Sequence, residues 1–324
     1  MSILVGVTRL AERLHSTVES LGGVALHSEL VEAGFGRRSI QWAREKGYLV
    51  PLGRGIFTTA RLWAHADGRL RHALKVRARQ RRNPMLVAVG PSAAALRGWP
   101  LPYGPPDVPI LSLPRDLDHR GAPGRQGNVL LRRSFLGYGE VVSRDGLLLT
   151  NPVRTVIDCA RQLGPTWGLA IGDVALQRCD IGRLEILAHL EGSPGASGNR
   201  AARWVAEHVR RGPESVLESL ARAVIVLGGF PEPTPQVWVA TRRGAFRVDL
   251  MDEANRVVTE ADGRLKYRVD DEDPDAAVWE EKLRQDAIRD ERFEVERFVM
   301  ADHGRRRAFL GRYAEAVARG RRLS

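Results

Sequence analysis

The sequence predicts an α+β protein that is divided into several domains. With 324 residues, the chain is longer than most single domains. Helical patterns alternate along it with short runs rich in Val, Leu and Phe. Residues 1–212 carry 30 Lys/Arg against 17 Asp/Glu, a net charge of +13, whereas residues 213–324 carry 20 against 22, a net charge of −2. We therefore predict three domains, which span residues 1–60, 61–212 and 213–324.

The first 60 residues predict three helices followed by a hairpin. Apolar residues at helical spacing indicate a first helix over residues 7–21. Ser28 is the candidate N-cap of a short second helix, and a third helix begins after Gly36. Residues 48–58 contain two short apolar runs, which predict a hairpin. Three helices and a hairpin together predict a winged helix-turn-helix.

The third helix is the candidate DNA-reading element. In a winged helix-turn-helix, this helix enters the major groove with its N-terminal end first. Arginine suits guanine edges or phosphates, glutamine suits adenine, and an arginine at the wing tip can reach a phosphate or the minor groove. The predicted DNA-binding residues are Arg37, Arg38, Ser39, Gln41, Arg44 and Arg54. Two other interpretations stay open: these side chains form a solvated face, or the module binds another protein.

Two segments of the front part resemble a known family. Residues 23–59 resemble the N-terminal domain of AbiEi-type antitoxins, and Leu149-Thr150-x-Pro152-x-Arg154-Thr155-x-x-Asp158 resembles the region that follows that domain. The resemblance implies a DNA-binding repressor of its own operon, with a nucleotidyltransferase-type toxin as partner. Arg154 and Asp158 lie four residues apart on one predicted helix, so an internal ion pair is favoured over a binding role.

The middle region predicts a mixed α/β domain without an evident catalytic motif. Helices are predicted over residues 65–82 and 92–96, from the Asn151-Pro152 pair onward, and over 166–179, 181–190 and 199–209. Strands are predicted over residues 85–89, 108–113, 129–133, 140–143 and 147–150.

The C-terminal region predicts the order helix, three strands, helix, strand. Ser215 followed by Glu218 is a capping box at the start of a helix that ends near Leu227. The strands are predicted over residues 236–240, 246–250 and from 257 onward, followed by a helix over 277–289, a strand over 293–298 and a tail helix over 302–319.

Acidic residues follow both strands of the second hairpin. Strand alternation places Glu260 and Asp262 on one face, where Asp249 of the neighbouring strand can meet them. Carboxylates held together repel one another unless a cation lies between them, and Mg²⁺ or Mn²⁺ suits their hard oxygen ligands. The sequence therefore predicts a divalent metal site held by Asp249 and Glu260.

At these acids the chain resembles the restriction-endonuclease-like, or PD-(D/E)xK, nucleases. Arg-Val-Asp-Leu followed by Glu-Ala-Asp-Gly-x-x-Lys-Tyr is most similar to an uncharacterised branch related to very-short-patch repair endonucleases, and the resemblance covers about residues 213–302. It implies Mg²⁺-dependent hydrolysis of DNA phosphodiesters. Asp262 stands where the family's triplet has Lys, so Lys266 is the nearest amine. The implied catalytic residues are Glu218, Asp249, Glu260, Asp262 and Lys266.

Other interpretations of the C-terminal region stay open. In one interpretation, the acids form a solvated hairpin or a degenerate site, as in a non-catalytic antitoxin or transcriptional repressor. The absence of Lys from the triplet favours the repressor. The domain can also serve only as a scaffold for a partner. Glu218 needs no role beyond its helix cap. Four polar residues of the following helix lie beside the acids or face water: Arg284, Gln285, Asp286 and Arg289.

Composition and charge narrow the possible classes of partner, metal site and cellular location. The net charge of +11 suits a polyanion such as nucleic acid, although a high-GC genome also raises the arginine content. Cys159 and Cys179 lack the spacing of a disulfide framework or a zinc site. No apolar run approaches a membrane span, and residues 1–10 lack the pattern of a signal peptide. We therefore expect a cytoplasmic protein without a membrane partner.

Overall fold

The structure is a computed structural model, which describes residues 2–114, 124–192, 195–263 and 274–322. Lys266 lies outside the described residues. The chain divides into two compact units, Met1–Asp158 and Cys159–Ser324. The described residues form a mixed α/β protein with three sheets. No helix in this described part combines the length and the apolar character needed to cross a membrane.

The first unit begins with helices that pack on a small sheet. The elements are α1 (Ser2–Ser20), β1 (Ala25–Leu26), α2 (His27–Glu32), α3 (Arg37–Glu45), β2 (Leu49–Gly53) and β3 (Ile56–Thr59). The strands form an antiparallel sheet in the order β1-β3-β2. Leu14, Leu30, Ile40 and Leu49 are buried in one cluster that joins the helices to the sheet. The predicted three helices and hairpin are present, and β1 adds a third strand.

The start of α2 differs from the prediction. The chain enters this helix from Leu26, whose N–H donates to Oε2 of Glu29 at 2.8 Å. Arg81 donates to the same oxygen at 2.9 Å. Ser28 therefore lies in the first turn of α2 instead of capping it, because Glu29 satisfies the backbone N–H at the helix start.

The rest of the first unit is built on a mixed sheet. Its elements are α4 (Ala60–His65), α5 (Gly68–Arg82), β4 (Val87–Ala88), α6 (Pro91–Arg97), β5 (Ile110–Pro114), β6 (Gly124–Gln126), β7 (Val129–Ser134), β8 (Val141–Arg144) and β9 (Leu147–Thr150). The strand order is β6-β7-β5-β4-β9-β8. The predicted helix over residues 65–82 is wrong at its start, because Asp67 caps α5 by accepting the N–H of Leu70 at 2.7 Å.

The second unit opens with packed helices. The division between the units falls within α7 (Pro152–Leu163), and α8 (Pro165–Arg178), α9 (Arg183–Glu191) and α10 (Asn199–His208) follow. Gly168 of α8 lies so close to α7 and α10 that a Cβ atom there would be 2.8 Å from Cα of Ala160 and 2.9 Å from Val205. The glycine therefore allows these helices to approach closely.

A four-stranded sheet with helices on both faces completes the second unit. Its elements are α11 (Val216–Leu227), β10 (Thr234–Thr241), β11 (Gly244–Asp252), β12 (Val257–Ala261), α12 (Pro274–Asp290), β13 (Glu294–Phe298), α13 (Met300–Gly304) and α14 (Arg306–Gly320). The strand order is β10-β11-β12-β13, with antiparallel pairs except for the parallel pair β12–β13. The predicted order helix, three strands, helix, strand is confirmed.

The predicted tail helix over residues 302–319 is confirmed from Arg306 onward as α14, but its start is wrong, because a separate helix, α13, ends at Gly304. Asp302 belongs to α13, and its carboxylate accepts the N–H of Val299 at 3.0 Å. The chain leaves helical geometry at Arg305, which has φ −116° and ψ 45°. Asp302 also accepts a hydrogen bond from Arg312 of α14 at 3.2 Å, which holds the two helices at this bend.

The turn between β11 and β12 is tied to the last helix. Asp252 accepts the N–H of Asn255 at 3.2 Å, and the hydroxyl of Tyr313 donates to the same carboxylate at 3.2 Å. Arg321 donates to Oδ1 of Asn255 at 2.7 Å. The buried polar groups of the turn are therefore satisfied by the protein itself, and the hairpin that carries the predicted acids has a fixed turn.

Candidate functional site

Glu218 lies in the first turn of α11, with its side chain buried. Ser215 caps the helix, because its hydroxyl accepts the N–H of Glu218 at 3.1 Å. The carboxylate of Glu218 accepts the N–H of Glu214 at 2.9 Å and the amide of Gln236 at 2.7 Å. The Ser215 half of the predicted capping box is confirmed, but the carboxylate bonds to Glu214 and to β10. Glu218 thus links the start of α11 to the sheet.

Asp249 lies where β11 and β12 cease to pair. The last backbone pair toward this end is Leu250 with Thr259. Beyond that pair, Oδ2 of Asp249 accepts the N–H of Ala261 at 2.8 Å. A side-chain oxygen therefore replaces the next ladder bond, which fixes the carboxylate of Asp249 beside the residue that follows Glu260.

Glu260 is paired with an arginine from the following helix. Its carboxylate is 2.8 Å from Nη2 of Arg284 on α12, and Glu260 is only 8% exposed. The same guanidinium donates to the carbonyl of Arg247 at 2.9 Å. Arg284 therefore connects α12 to both strands of the acidic hairpin. From the sequence alone, Arg284 lies either beside the acids or in water, because helical spacing does not reveal which strand a long side chain reaches.

Asp262 follows the end of β12 and turns toward β13. Its N–H donates to the carbonyl of Phe298 at 2.9 Å, and its carboxylate is 3.5 Å from Nη1 of Arg297. This ion pair is partly exposed, so it contributes at most about 1 kcal/mol. Asp262 is therefore held by the neighbouring parallel strand, whereas Asp249 is held by β12.

The charge of Asp249 acts on Glu218. Burial raises the pKa of Glu218, and the nearby negative charge of Asp249 raises it further, while hydrogen bonds from Glu214, Gln236 and Ser215 oppose the shift. Within the described ranges, no group of three or more His, Cys, Asp or Glu side chains is placed to hold a metal ion. Asp249 and Glu260 thus remain a pair of candidate ligands, with Glu218 as an electrostatic neighbour.

The predicted DNA-binding residues of the first unit lie on α3 and at the turn between β2 and β3. Ile40 and Ala43 of α3 are buried, whereas Arg37, Arg38, Gln41 and Arg44 are exposed and Ser39 is half-buried. Arg54 is exposed at the turn between β2 and β3. None of these four arginine side chains forms an ion pair with another described residue. The buried positions place Ile40 in the core, and they leave the basic side chains of α3 facing outward.

Arg154 is an internal residue. Its guanidinium is 3.0 Å from Asp158 and 2.9 Å from Glu140, and all three residues are buried. It also donates to the carbonyl of Phe135 at 2.9 Å. The predicted ion pair with Asp158 is confirmed, and Glu140 is a second partner that lies too far away in sequence for any local pattern to reveal. This network accounts for Arg154 without a ligand.

Comparison with known proteins gives a distant structural likeness. No protein-family profile matches the chain, and no curated protein matches it with significant similarity. The crystal structure of the RV2827C protein from Mycobacterium tuberculosis aligns with a TM-score of 0.41 and 19% sequence identity, over 71% of this chain and 84% of that chain.

Proposed function

We propose that this chain is a DNA-binding protein that hydrolyses DNA phosphodiesters with Mg²⁺ at the acidic site of its C-terminal region. The observation that supports this proposal is that Asp249, at the end of the β11–β12 ladder, accepts the N–H of Ala261, the residue after Glu260, while its charge also acts on Glu218. The order α11-β10-β11-β12-α12-β13 accords with the proposed restriction-endonuclease-like core. Phage defence or a toxin–antitoxin system is the proposed setting, as the AbiEi-like segments imply.

The two carboxylates fit a hard divalent cation. Magnesium is commonly held by one or two carboxylates, with water and substrate phosphate completing its shell. One oxygen of Asp249 accepts the N–H of Ala261, which leaves the second oxygen for a cation. When bound, Mg²⁺ or Mn²⁺ supplies a water of lowered pKa and a positive charge beside the phosphorus. Asp249 and Glu260 are the residues that would hold it.

The protein's own cations position the substrate in this proposal. Arg284 reaches Glu260 from α12 and so brings a guanidinium to the acid that begins the family's triplet. A guanidinium can donate two hydrogen bonds to a phosphate. We assign Arg284 the task of orienting the phosphate, beside the role proposed for Lys266. Asp262 completes the acidic edge, and its pairing with Arg297 keeps it toward β13.

The first unit supplies DNA binding. We propose that α1, α2, α3 and the β2–β3 hairpin form a winged helix-turn-helix, with α3 in the major groove and Arg54 on the wing. The exposed Arg37, Arg38 and Arg44 support this proposal because they form no ion pairs within the described chain.

A non-catalytic repressor is the second candidate function. The observation in its favour is the ion pair between Arg284 and Glu260, together with Asp262 in the place of the triplet lysine. In that case α3 binds the promoter of its own operon, a nucleotidyltransferase-type toxin is the proposed partner, and the acidic hairpin only holds the fold together.

Plasmid nicking by the full chain separates the two functions. The assay uses Mg²⁺ or Mn²⁺ with the wild type and with Asp249→Asn and Glu260→Gln, and calorimetry records metal binding by the same samples. Glu253→Gln is the matched control, because Glu253 is exposed in the turn of the same hairpin. We expect nicking by the wild type and by the control, and a loss of at least about 100-fold in the two site variants.

Two outcomes contradict the nuclease proposal. Undiminished nicking by Asp249→Asn would place the chemistry elsewhere. Binding of promoter DNA without metal, combined with no nicking of any substrate by the wild type, would select the repressor.

A further inference from the structure

We propose that the exposed face of the β10–β11 hairpin binds unpaired nucleotides of a single strand, with Trp238 stacking against a base. The inference rests on the proposed function, because it names the form of nucleic acid that the acidic site receives. The surface consists of Trp238, Arg242, Arg243 and Arg247, and we call it the hairpin face.

The indole ring of Trp238 does not pack in the core. It is 66% exposed, and it lies on β10, an edge strand of the sheet. The opposite face of the hairpin packs into the core through Val237, Val239, Phe246 and Val248. Strand alternation therefore directs Trp238 away from that core.

Small and polar neighbours leave the ring of Trp238 uncovered. Ala240 lies two residues along the same strand and pairs with Ala245, while Arg247 pairs with Trp238 itself. An alanine side chain cannot cover an indole, so a flat aromatic surface remains open beside a guanidinium. Base stacking on such a ring tolerates any sequence, because every base has a π face.

The charges of the hairpin complement a polyanion. Residues 234–248 contain three arginines and no acid. Arg242 and Arg243 are exposed at the tip, where neither forms an ion pair with a described residue. Arg247 is 2.8 Å from Glu214 in an exposed pair, which costs little to exchange for a phosphate.

The hairpin face leads directly to the acids. Arg247 and Asp249 are two residues apart on β11, so their Cα atoms are about 7 Å apart. Arg247 contacts Glu214, and Gln236 contacts Glu218, so both residues lie toward the start of α11. One nucleotide chain can thus contact the indole and the acidic site together.

A single strand fits this surface better than a duplex or a protein. Paired bases hide their faces within the stack, so only an unpaired base can lie on Trp238. Protein interfaces bury a cluster of apolar anchors at their centre. Trp238 has Gln236, Ala240 and Arg247 as neighbours on its face, and these do not make such a centre.

The test measures binding of a labelled oligothymidylate by fluorescence anisotropy, in EDTA so that metal-dependent cleavage cannot occur. The full chain is compared with Trp238→Ala, Trp238→Phe and Trp279→Ala, the last being a control tryptophan on α12 that is 58% exposed. Each of these proteins is also measured in a second background, in which Arg37, Arg38 and Arg44 are changed to Ala to remove binding by α3. Duplex DNA of equal length is the second ligand.

We expect Trp238→Ala to weaken single-strand binding about tenfold, while Trp238→Phe retains most of the affinity because its ring still stacks. Trp279→Ala should leave binding unchanged, and duplex binding should respond to none of the tryptophan variants. Changing Arg242 and Arg243 to Ala should make the negative slope of log K against log salt shallower by about 1.4, at about 0.7 per phosphate contact.

Equal single-strand binding by Trp238→Ala and the wild type would overturn the inference. So would a wild-type dimer that Trp238→Ala converts to a monomer, since the hairpin face would then join two copies of this chain. The nuclease proposal fails separately, because nicking can be absent while the Trp238-dependent binding persists in EDTA and in Asp249→Asn.

Discussion

At the scale of single residues, His72 shows how burial fixes a protonation state. Its Nδ1 lies 2.9 Å from the carbonyl of Pro106, and its Nε2 lies 3.0 Å from the hydroxyl of Ser92. A carbonyl only accepts, so Nδ1 carries the proton and Nε2 accepts from Ser92. Burial lowers the pKa of His72 from 6.5 to about 4, and the positive charge of Lys75 contributes to the shift. The folded protein therefore holds this imidazole neutral.

This neutral imidazole predicts a pH dependence of stability. Between pH 6.5 and about 4, the unfolded chain binds a proton at His72 that the folded chain does not, so the free energy of unfolding falls as the pH falls. The loss attributable to His72 is about 2 kcal/mol between pH 8 and pH 5. The measurement is the free energy of unfolding of the first unit in urea at pH 8 and at pH 5, for the wild type and for His72→Gln.

The variant should lose this part of the pH dependence, even if it is less stable at pH 8. His65→Gln, which alters an exposed histidine, is the control and should keep the wild-type profile. Parallel profiles for the wild type and His72→Gln would contradict the assignment.

At the scale of secondary-structure elements, two glycines in helices have opposite roles. Gly168 lies where α8 meets α7 and α10, and a Cβ atom there would be 2.8 Å from the backbone of Ala160. Gly311 lies within α14, where a Cβ atom would meet nothing within 4 Å. The first glycine is required by packing, whereas the second only weakens its helix.

The two glycines give a matched pair of alanine substitutions. Gly168→Ala should destabilise the second unit by about 1–3 kcal/mol, because the backbone of Ala160 must move away. Gly311→Ala should stabilise it by about 0.5–1 kcal/mol through higher helix propensity. Thermal or urea unfolding of the second unit measures both, and a stabilising Gly168→Ala would contradict the close approach of α8 to its neighbours.

The elements that local signals define were predicted from the sequence. The helix after Ser215 and the strands on either side of residues 252–255 each have a cap, a turn or a period that is independent of distant contacts. Predictions failed where a distant or longer side chain decided the outcome. Glu29 displaced Ser28 as the group at the start of α2, and the contact of Asp302 with Arg312 accompanies a bend that the tail pattern did not show.

The acids of the candidate site were proposed from the sequence, whereas the contacts of Arg284 and Gln236 with them were not. Asp249 and Glu260 follow from strand alternation and hairpin register, which are local properties. Arg284 reaches Glu260 from another element, and Gln236 reaches Glu218 in the same way. Such contacts depend on how α12 and β10 pack, and packing geometry is not encoded in a short sequence window.

At the scale of the whole molecule, the charge is concentrated in one unit. Met1–Asp158 contains 23 Lys/Arg and 12 Asp/Glu, a net charge of +11, whereas Cys159–Ser324 contains 27 of each and is neutral. The full net charge of the protein therefore belongs to the unit that carries α3. A neutral second unit with arginines on its hairpin needs close contact to bind a nucleic acid, since its long-range field is weak.

This distribution predicts a salt-dependent affinity for duplex DNA that arises in the first unit. Changing Arg37, Arg38 and Arg44 to Ala should reduce the slope of log K against log salt by about 2.7 if each contacts one phosphate. Arg289→Ala, an exposed change in the neutral unit, is the control and should preserve the slope. Anisotropy titrations over a range of salt concentrations measure it, and an unchanged slope in the triple variant would remove α3 from the interface.

The ion pair between Arg284 and Glu260 has a thermodynamic consequence for cation uptake. The guanidinium and a divalent ion compete for one carboxylate. The apparent association constant for the metal therefore equals the intrinsic constant multiplied by the fraction of Glu260 that is not paired with Arg284. Arg284→Ala should therefore bind Mg²⁺ more tightly in calorimetry while nicking DNA more slowly, whereas Arg289→Ala should change neither quantity. Weaker metal binding by Arg284→Ala would contradict this competition. A substrate phosphate that draws the guanidinium from Glu260 would then favour metal uptake, so that nucleic acid and cation bind cooperatively.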